Sequence, residues 1–141
     1  MPTLNETFDV PDEDAAWTVV SDLNKLVPCV PGAKVTESDS PTSVKAEIDV
    51  KMGSMSMTFS GPVTIKEQDE GSKKAVIEAK TREAAGQSNA EGVITISVGG
   101  GSGTIETVAD ISGKAGSMGE GTIEAVLKQL IEQFTDNLVK A

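Results

Sequence analysis

The side chains able to do chemistry are few, and the gaps among them exclude whole reaction classes. The 141-residue chain contains no His and no Tyr. Ser-His-Asp and Cys-His arrangements, His-ligated metal sites and phenolic acids are therefore absent. Carboxylates remain as acid–base candidates. Glu47, Asp49, Glu78, Glu124 and Glu132 fall on the polar faces of regular segments and read as solvated. Glu83 and Glu91 occupy less regular positions and could reach an interior, with Arg82 beside them. Cys29 has no base to activate it and no second cysteine to pair with, so it reads as a buried small hydrophobe. The run Gly99-Gly100-Gly101-Ser102-Gly103 resembles a phosphate loop only superficially. It lacks the Gly-Lys-Ser/Thr ending and a following helix, so a flexible hairpin loop is expected.

The positive feature is apolar. Met52, Met55, Met57 and Phe59 gather at one hairpin, with small Ala79 and Ala90 on neighbouring strands. Gly116, Gly119 and Gly121 flank Met118 near the start of a helix. Methionine adapts to irregular shapes and small residues leave volume. The pattern fits a Met-rich core with a loosened first helical turn, and it also fits an apolar ligand cavity.

These residues need elements to hold them. The strongest signal is the last stretch, Ser117 to Lys140. Ile123, Leu127 and Ile131 form one i, i+4 row, and Val126, Leu130, Phe134 and Leu138 form the next. Ser117 with Glu120 fits a capping box. About six turns make a rod of roughly 35 Å, whose apolar face needs a broad cover. Alternation supplies it. A first strand carries Leu4, Glu6, Phe8 and Val10 on one face. After Pro11, acidic residues start a short helix over Ala15 to Val20, and a second short turn runs over Asp22 to Val27. Pro28-Cys29-Val30-Pro31-Gly32-Ala33 is stiff and apolar. Six strands follow, joined by short turns, with a bulge or bend expected at Gly61-Pro62. One domain spanning 1–141 is expected, an α+β fold with an antiparallel meander against one long helix.

The net charge of −10 argues against nucleic acid and against simple adhesion to anionic lipid. No secretory signal or membrane-length apolar run is present, so a cytoplasmic protein is expected.

Four stretches stand out: Leu23-Asn24-Lys25-Leu26-Val27-Pro28-Cys29-Val30-Pro31-Gly32-Ala33, then Lys51-Met52-Gly53-Ser54-Met55-Ser56-Met57-Thr58-Phe59-Ser60-Gly61, then Gly86-Gln87-Ser88-Asn89-Ala90, and the ending Gln133-Phe134-Thr135-Asp136-Asn137-Leu138. They resemble the CoxG family, the G subunits of carbon monoxide dehydrogenase, within the START-like (SRPBCC) superfamily. The resemblance implies a helix-grip fold, a curved antiparallel sheet wrapped around the C-terminal helix. It implies a non-enzymatic accessory of an aerobic molybdenum-containing carbon monoxide dehydrogenase. It further implies an enclosed apolar cavity, with no metal and no covalent cofactor. Members are linked to attaching the enzyme to the inner face of the cytoplasmic membrane and to handling its quinone. Many carry a further tail beyond the position of Ala141, which makes peripheral membrane contact tail-dependent.

On this reading an isoprenoid quinone such as menaquinone lies between helix and sheet. Met52, Met57, Phe59, Ala79, Ala90, Met118, Ile123 and Leu127 are expected to line its site, with Trp17, Leu26 and Val30 as a mobile lip. Pro28 to Ala33 is expected to be a gate or a docking surface. Two alternatives stay open: a membrane-recruitment adaptor with a filled core, and a small cyclase- or dehydratase-like enzyme using Glu83 or Glu91 with Arg82.

Overall fold

A computed structural model of the chain describes residues 3–52, 55–84, 86, 88–113 and 120–140. Strand β1 (Thr3–Asp9) alternates between exposed and half-buried positions, as its sequence requires. Asp12 then caps α1 (Glu13–Val20), its carboxylate accepting the Ala15 N–H at 3.1 Å. Asp22 caps α2 (Leu23–Leu26) in the same way, accepting from the Asn24 N–H at 2.9 Å. A 3-10 turn over Val27–Cys29 follows directly, with Pro28 inside it.

Six strands come next: β2 (Ala33–Ser40), β3 (Ser43–Met52), β4 (Met55–Asp69), β5 (Lys74–Glu83), β6 (Ser88–Gly99) and β7 (Ser102–Gly113). They form one antiparallel sheet in the order β1-β7-β6-β5-β4-β3-β2. The chain ends in α3 (Glu120–Lys140). This helix touches β3 near one side of the sheet and β1 at the opposite edge. The sheet therefore curves around it, as the alternating strands and the apolar helical stripe require.

The stripe is used as read. Ile123, Ile131, Phe134 and Leu138 are buried, and Val126, Leu127 and Leu130 are half-buried. Two apolar clusters result. The larger joins α1, α2 and the second half of α3, through Trp17, Leu23, Ile131, Phe134 and Leu138, to the middle of the sheet. The smaller joins Val50, Met57 and Phe59 to Val126 and Leu130 on the first half of α3. The expected cap of Ser117 with Glu120 and the turn at Gly53-Ser54 lie outside the described residues.

Three local findings refine the sequence reading. Pairing of β3 with β4 runs unbroken through Gly61 and Pro62, and the register shift in β4 falls between Ile65 and Glu67. The demand at Gly61 is close approach, because a Cβ there would collide with the Lys80 carbonyl of β5. The glycine loop is tied down: Gly101 donates its N–H to Glu13 at 2.9 Å and accepts from the Val10 N–H at 2.9 Å. Gly100 and Gly101 both take left-handed backbone, at φ 64° and 79°. This loop thus fastens β6–β7 to the start of α1.

Thr107 is 7% exposed, and its hydroxyl has no hydrogen-bond partner among the described residues. An unpaired buried hydroxyl costs on the order of 1–3 kcal/mol. Thr107→Val keeps the shape and the β-branch while removing that group. It should stabilise the fold by about 1 kcal/mol and raise the thermal midpoint by roughly 3–5 °C. A lowered midpoint would show that the hydroxyl has a partner.

Candidate functional site

Within the larger cluster lies an apolar cavity of about 200 Å³. Its origin is a patch of small residues on the inner face of the sheet. The pairing register sets Ala46 opposite Gly61, Thr81 opposite Ala90, and Val63 opposite Ala79 with Gly92 beyond it. Larger side chains surround this patch, so the helix cannot settle onto its centre. Ala46, Ala79 and Thr81 form part of the wall, with Val63, Ile77, Ile94 and Ile96 alongside. Phe134 of α3 closes the helical side. Leu23 and Leu26 of α2, followed by Val27 and Val30, close the end beneath the proline segment.

The wall offers little hydrogen bonding. The Thr81 hydroxyl donates to the Ala90 carbonyl at 2.8 Å, which commits its proton. Glu47 is the charged residue of the lining, and its carboxylate lies 3.9 Å from Lys34 Nζ, one-third exposed. A ligand held here is recognised by shape and apolar contact, because polar groups must stay where water or their own partners satisfy them.

The segment over the cavity is constrained. Pro28 is exposed while Val27 and Cys29 are buried. Gly32 takes φ 79°, and a Cβ on it would lie 2.7 Å from the Asp49 carbonyl oxygen. Burial raises the Cys29 thiol above its ordinary value of 9.0. Cys29 therefore stays protonated and inert at neutral pH, as a buried hydrophobe should. The raised value means that the folded state holds this proton more tightly than the unfolded state. The associated stability is present below about pH 9 and is lost as pH rises through the folded value. Alkylation by iodoacetamide at pH 8 should be at least about tenfold slower in the folded protein than in urea. Equal rates would show that the segment does not shield the thiol.

Of the residues expected from sequence to line a ligand site, Leu26, Val30 and Ala79 meet in this cavity. Met57, Phe59 and Ala90 belong to the smaller cluster instead, where the first half of α3 packs onto them. Ile48 joins the two regions, lining the cavity and packing against that cluster. Ile123 is buried and Leu127 half-buried on α3, and neither lines the cavity. Trp17, expected at a lip, is 6% exposed within the larger cluster, and its Nε1 has no partner among the described residues. The side chain of Met52, and Met118 as a whole, lie outside the described residues. Arg82 and Glu91 are exposed and Glu83 is half-buried, so Arg82 and Glu91 do not reach the interior as the enzyme alternative required.

Sequence reasoning missed Ala46, Thr81 and Phe134 as cavity walls. Ala46 carried a signal, as the small member of the row Val44, Ala46, Ile48, Val50. Among the described residues, no group of His, Cys, Asp and Glu could hold a metal ion. Among the same residues, no helix is long and apolar enough to cross a membrane.

Comparison with known proteins adds the following. The family model for the carbon monoxide dehydrogenase G subunit (CoxG) matches residues 7–141. No curated protein matches the chain. Among solved structures, a conserved protein from Geobacillus kaustophilus is similar at TM-score 0.75 and 18% identity, covering 98% of this chain and 91% of that one. A START superfamily protein from Mycobacterium smegmatis is similar at TM-score 0.57 and 15% identity, with 98% and 94% covered. The Zhui aromatase/cyclase from Streptomyces sp. R1128 is similar at TM-score 0.58 and 13% identity, with 99% and 90% covered. These likenesses show the fold, which is the START-like helix-grip arrangement expected from the sequence.

Proposed function

Because the chain belongs to the CoxG family of carbon monoxide dehydrogenase G subunits, we propose that it is a non-catalytic accessory of an aerobic molybdenum carbon monoxide dehydrogenase. Its cavity takes the apolar part of an isoprenoid quinone such as menaquinone, and the protein links the enzyme to the quinone pool of the membrane. The observation that carries this reading is the apolar cavity between helix and sheet, whose Thr81 hydroxyl has already committed its proton.

The volume limits what fits inside. An apolar cavity of roughly 150 Å³ admits one benzene-sized molecule. About 200 Å³ thus holds one or two prenyl units, with the rest of the molecule outside. Each buried CH₂ contributes about 0.8 kcal/mol, so five or six supply roughly 4–5 kcal/mol before association costs. Affinity should therefore follow the prenyl chain, and a quinone ring without its chain should bind at least about tenfold more weakly. Equal affinity for the bare ring would contradict recognition of the chain.

The lining also argues against chemistry at this site. A general acid or base must reach the reacting atom. Here Glu47 faces Lys34, and the Thr81 proton is committed to a backbone carbonyl.

The test is reconstitution. The dehydrogenase and menaquinone-loaded vesicles are supplied with carbon monoxide, and quinone reduction is followed with and without the protein. Acceleration by the intact protein, absent when its cavity is filled, is expected. The same rate with and without the protein would overturn the linking role.

A further inference from the structure

The proline segment and the C-terminal helix meet at one hydrogen bond that packing alone does not require. Asn137 of α3 donates from Nδ2 to the Cys29 carbonyl at 2.8 Å, across 108 positions of sequence. Neither partner lines the cavity, but both adjoin residues that do. Val27 and Val30, on either side of Pro28 and Cys29, are wall residues, and so is Phe134, one helical turn before Asn137.

Beyond the burial of Val27 and Cys29 in the larger cluster, the segment has few hydrogen bonds to hold it down. Pro28 and Pro31 lack N–H donors. The Val30 N–H bonds locally to Val27 at 3.0 Å, and the Ala33 N–H bonds locally to Val30 at 3.0 Å. At its far end the Gly32 carbonyl accepts from the Asp49 N–H of β3 at 3.1 Å. Gly32, with its left-handed backbone, is a natural pivot. The segment thus has a fixed end at β3 and a side-chain fastening in its middle. The two prolines make it stiff enough to move as a unit.

We propose that Asn137 is a latch: its bond to Cys29 holds the proline segment closed, and release of that bond lets the cavity exchange its ligand. The ligand-exchange half of this proposal rests on the binding reading above. The latch itself does not. Asn137 is exposed along its helix, so water can take over its amide when the bond breaks. Closure is then reversible, and the tip of one side chain sets how often the wall opens. Asn137 is a positioning residue, since it acts through the segment and lies outside the lining.

Asn137→Leu keeps the bulk and removes the donor, and Asn137→Gln keeps an amide donor. Hydrogen exchange of the intact protein is measured for both variants. Without the donor, the Val30 and Ala33 amides should exchange about five- to tenfold faster, the loss expected for one hydrogen bond. Ile96 and Val98, in the middle of the sheet, should not change, and Asn137→Gln should restore much of the protection. Unchanged exchange at Val30 and Ala33 would overturn the latch. In parallel, stopped-flow uptake and release of the neutral apolar dye N-phenyl-1-naphthylamine are followed. Both rates should rise together in Asn137→Leu, with affinity held within about twofold; that combination marks a gate, whereas a damaged wall would raise release alone and weaken affinity. Faster amides with unchanged dye rates would overturn the gating role. A wild-type protein that takes up no dye would count against the binding reading, and the amide comparison would still decide the latch.

Discussion

Ala79→Phe should lower affinity for a prenylated quinone by at least about 100-fold while the protein stays folded. Ala79 stands in the inner row of β5 between Ile77 and Thr81, opposite Val63 on one side and Gly92 on the other. Its side chain is part of the cavity wall. A benzene-sized group nearly fills a cavity of roughly 150 Å³, so a phenyl ring leaves little of the 200 Å³ here. Excluding about four CH₂ groups forfeits close to 3 kcal/mol, which is the 100-fold. The same ring gains packing where there was space, so the thermal midpoint should hold within a few degrees; a poor fit would cost about 1–3 kcal/mol. Ala79→Leu should give an intermediate loss. Unaltered quinone affinity in a folded Ala79→Phe protein, measured by titration, would place the ligand elsewhere.

The second large effect is on stability. Phe59→Ala should cost about 3–5 kcal/mol, the usual penalty for emptying a core phenylalanine site. Phe59 is 2% exposed and stands opposite Ile48 of β3 and Glu83 of β5. With Val50 and Met57 it anchors the first half of α3 through Val126 and Leu130. Because domains of this size are held by only some 5–15 kcal/mol in total, the midpoint should fall by more than about 10 °C. Val93→Ala, at an exposed position of β6 (41% exposed), should leave it within about 2 °C. A cost below about 1 kcal/mol at Phe59 would mean that the smaller cluster does not hold the helix to the sheet.

The elements were legible because each carries its own period. The α3 stripe, the inner rows of β3 to β7 and the acidic start of α1 depend on near neighbours alone. The cavity was legible only in part. Its floor exists because Ala46 meets Gly61 and Ala79 meets Gly92 across strand pairs. Such a register is set by the whole sheet, and no single strand displays it. Leu26 and Val30 were found through the unusual proline segment, and Ala79 through its size. Met57 and Phe59 draw attention for softness and bulk, yet the first half of α3 packs onto their cluster. Nothing in the sequence around Trp17 separates a lip position from a core position. The apolar side of α1, Ala16, Trp17, Val19 and Val20, goes into the core. Asn137 has no signature in the sequence, because its partner is a backbone carbonyl 108 residues away.

The most direct test of the binding role is organic extraction of the protein purified from its native cells, followed by mass spectrometry, with an unrelated purified protein as control. A near-stoichiometric isoprenoid quinone, reduced to background in Ala79→Phe, is the expected result. An empty extract, together with no uptake when menaquinone is added back, would contradict it.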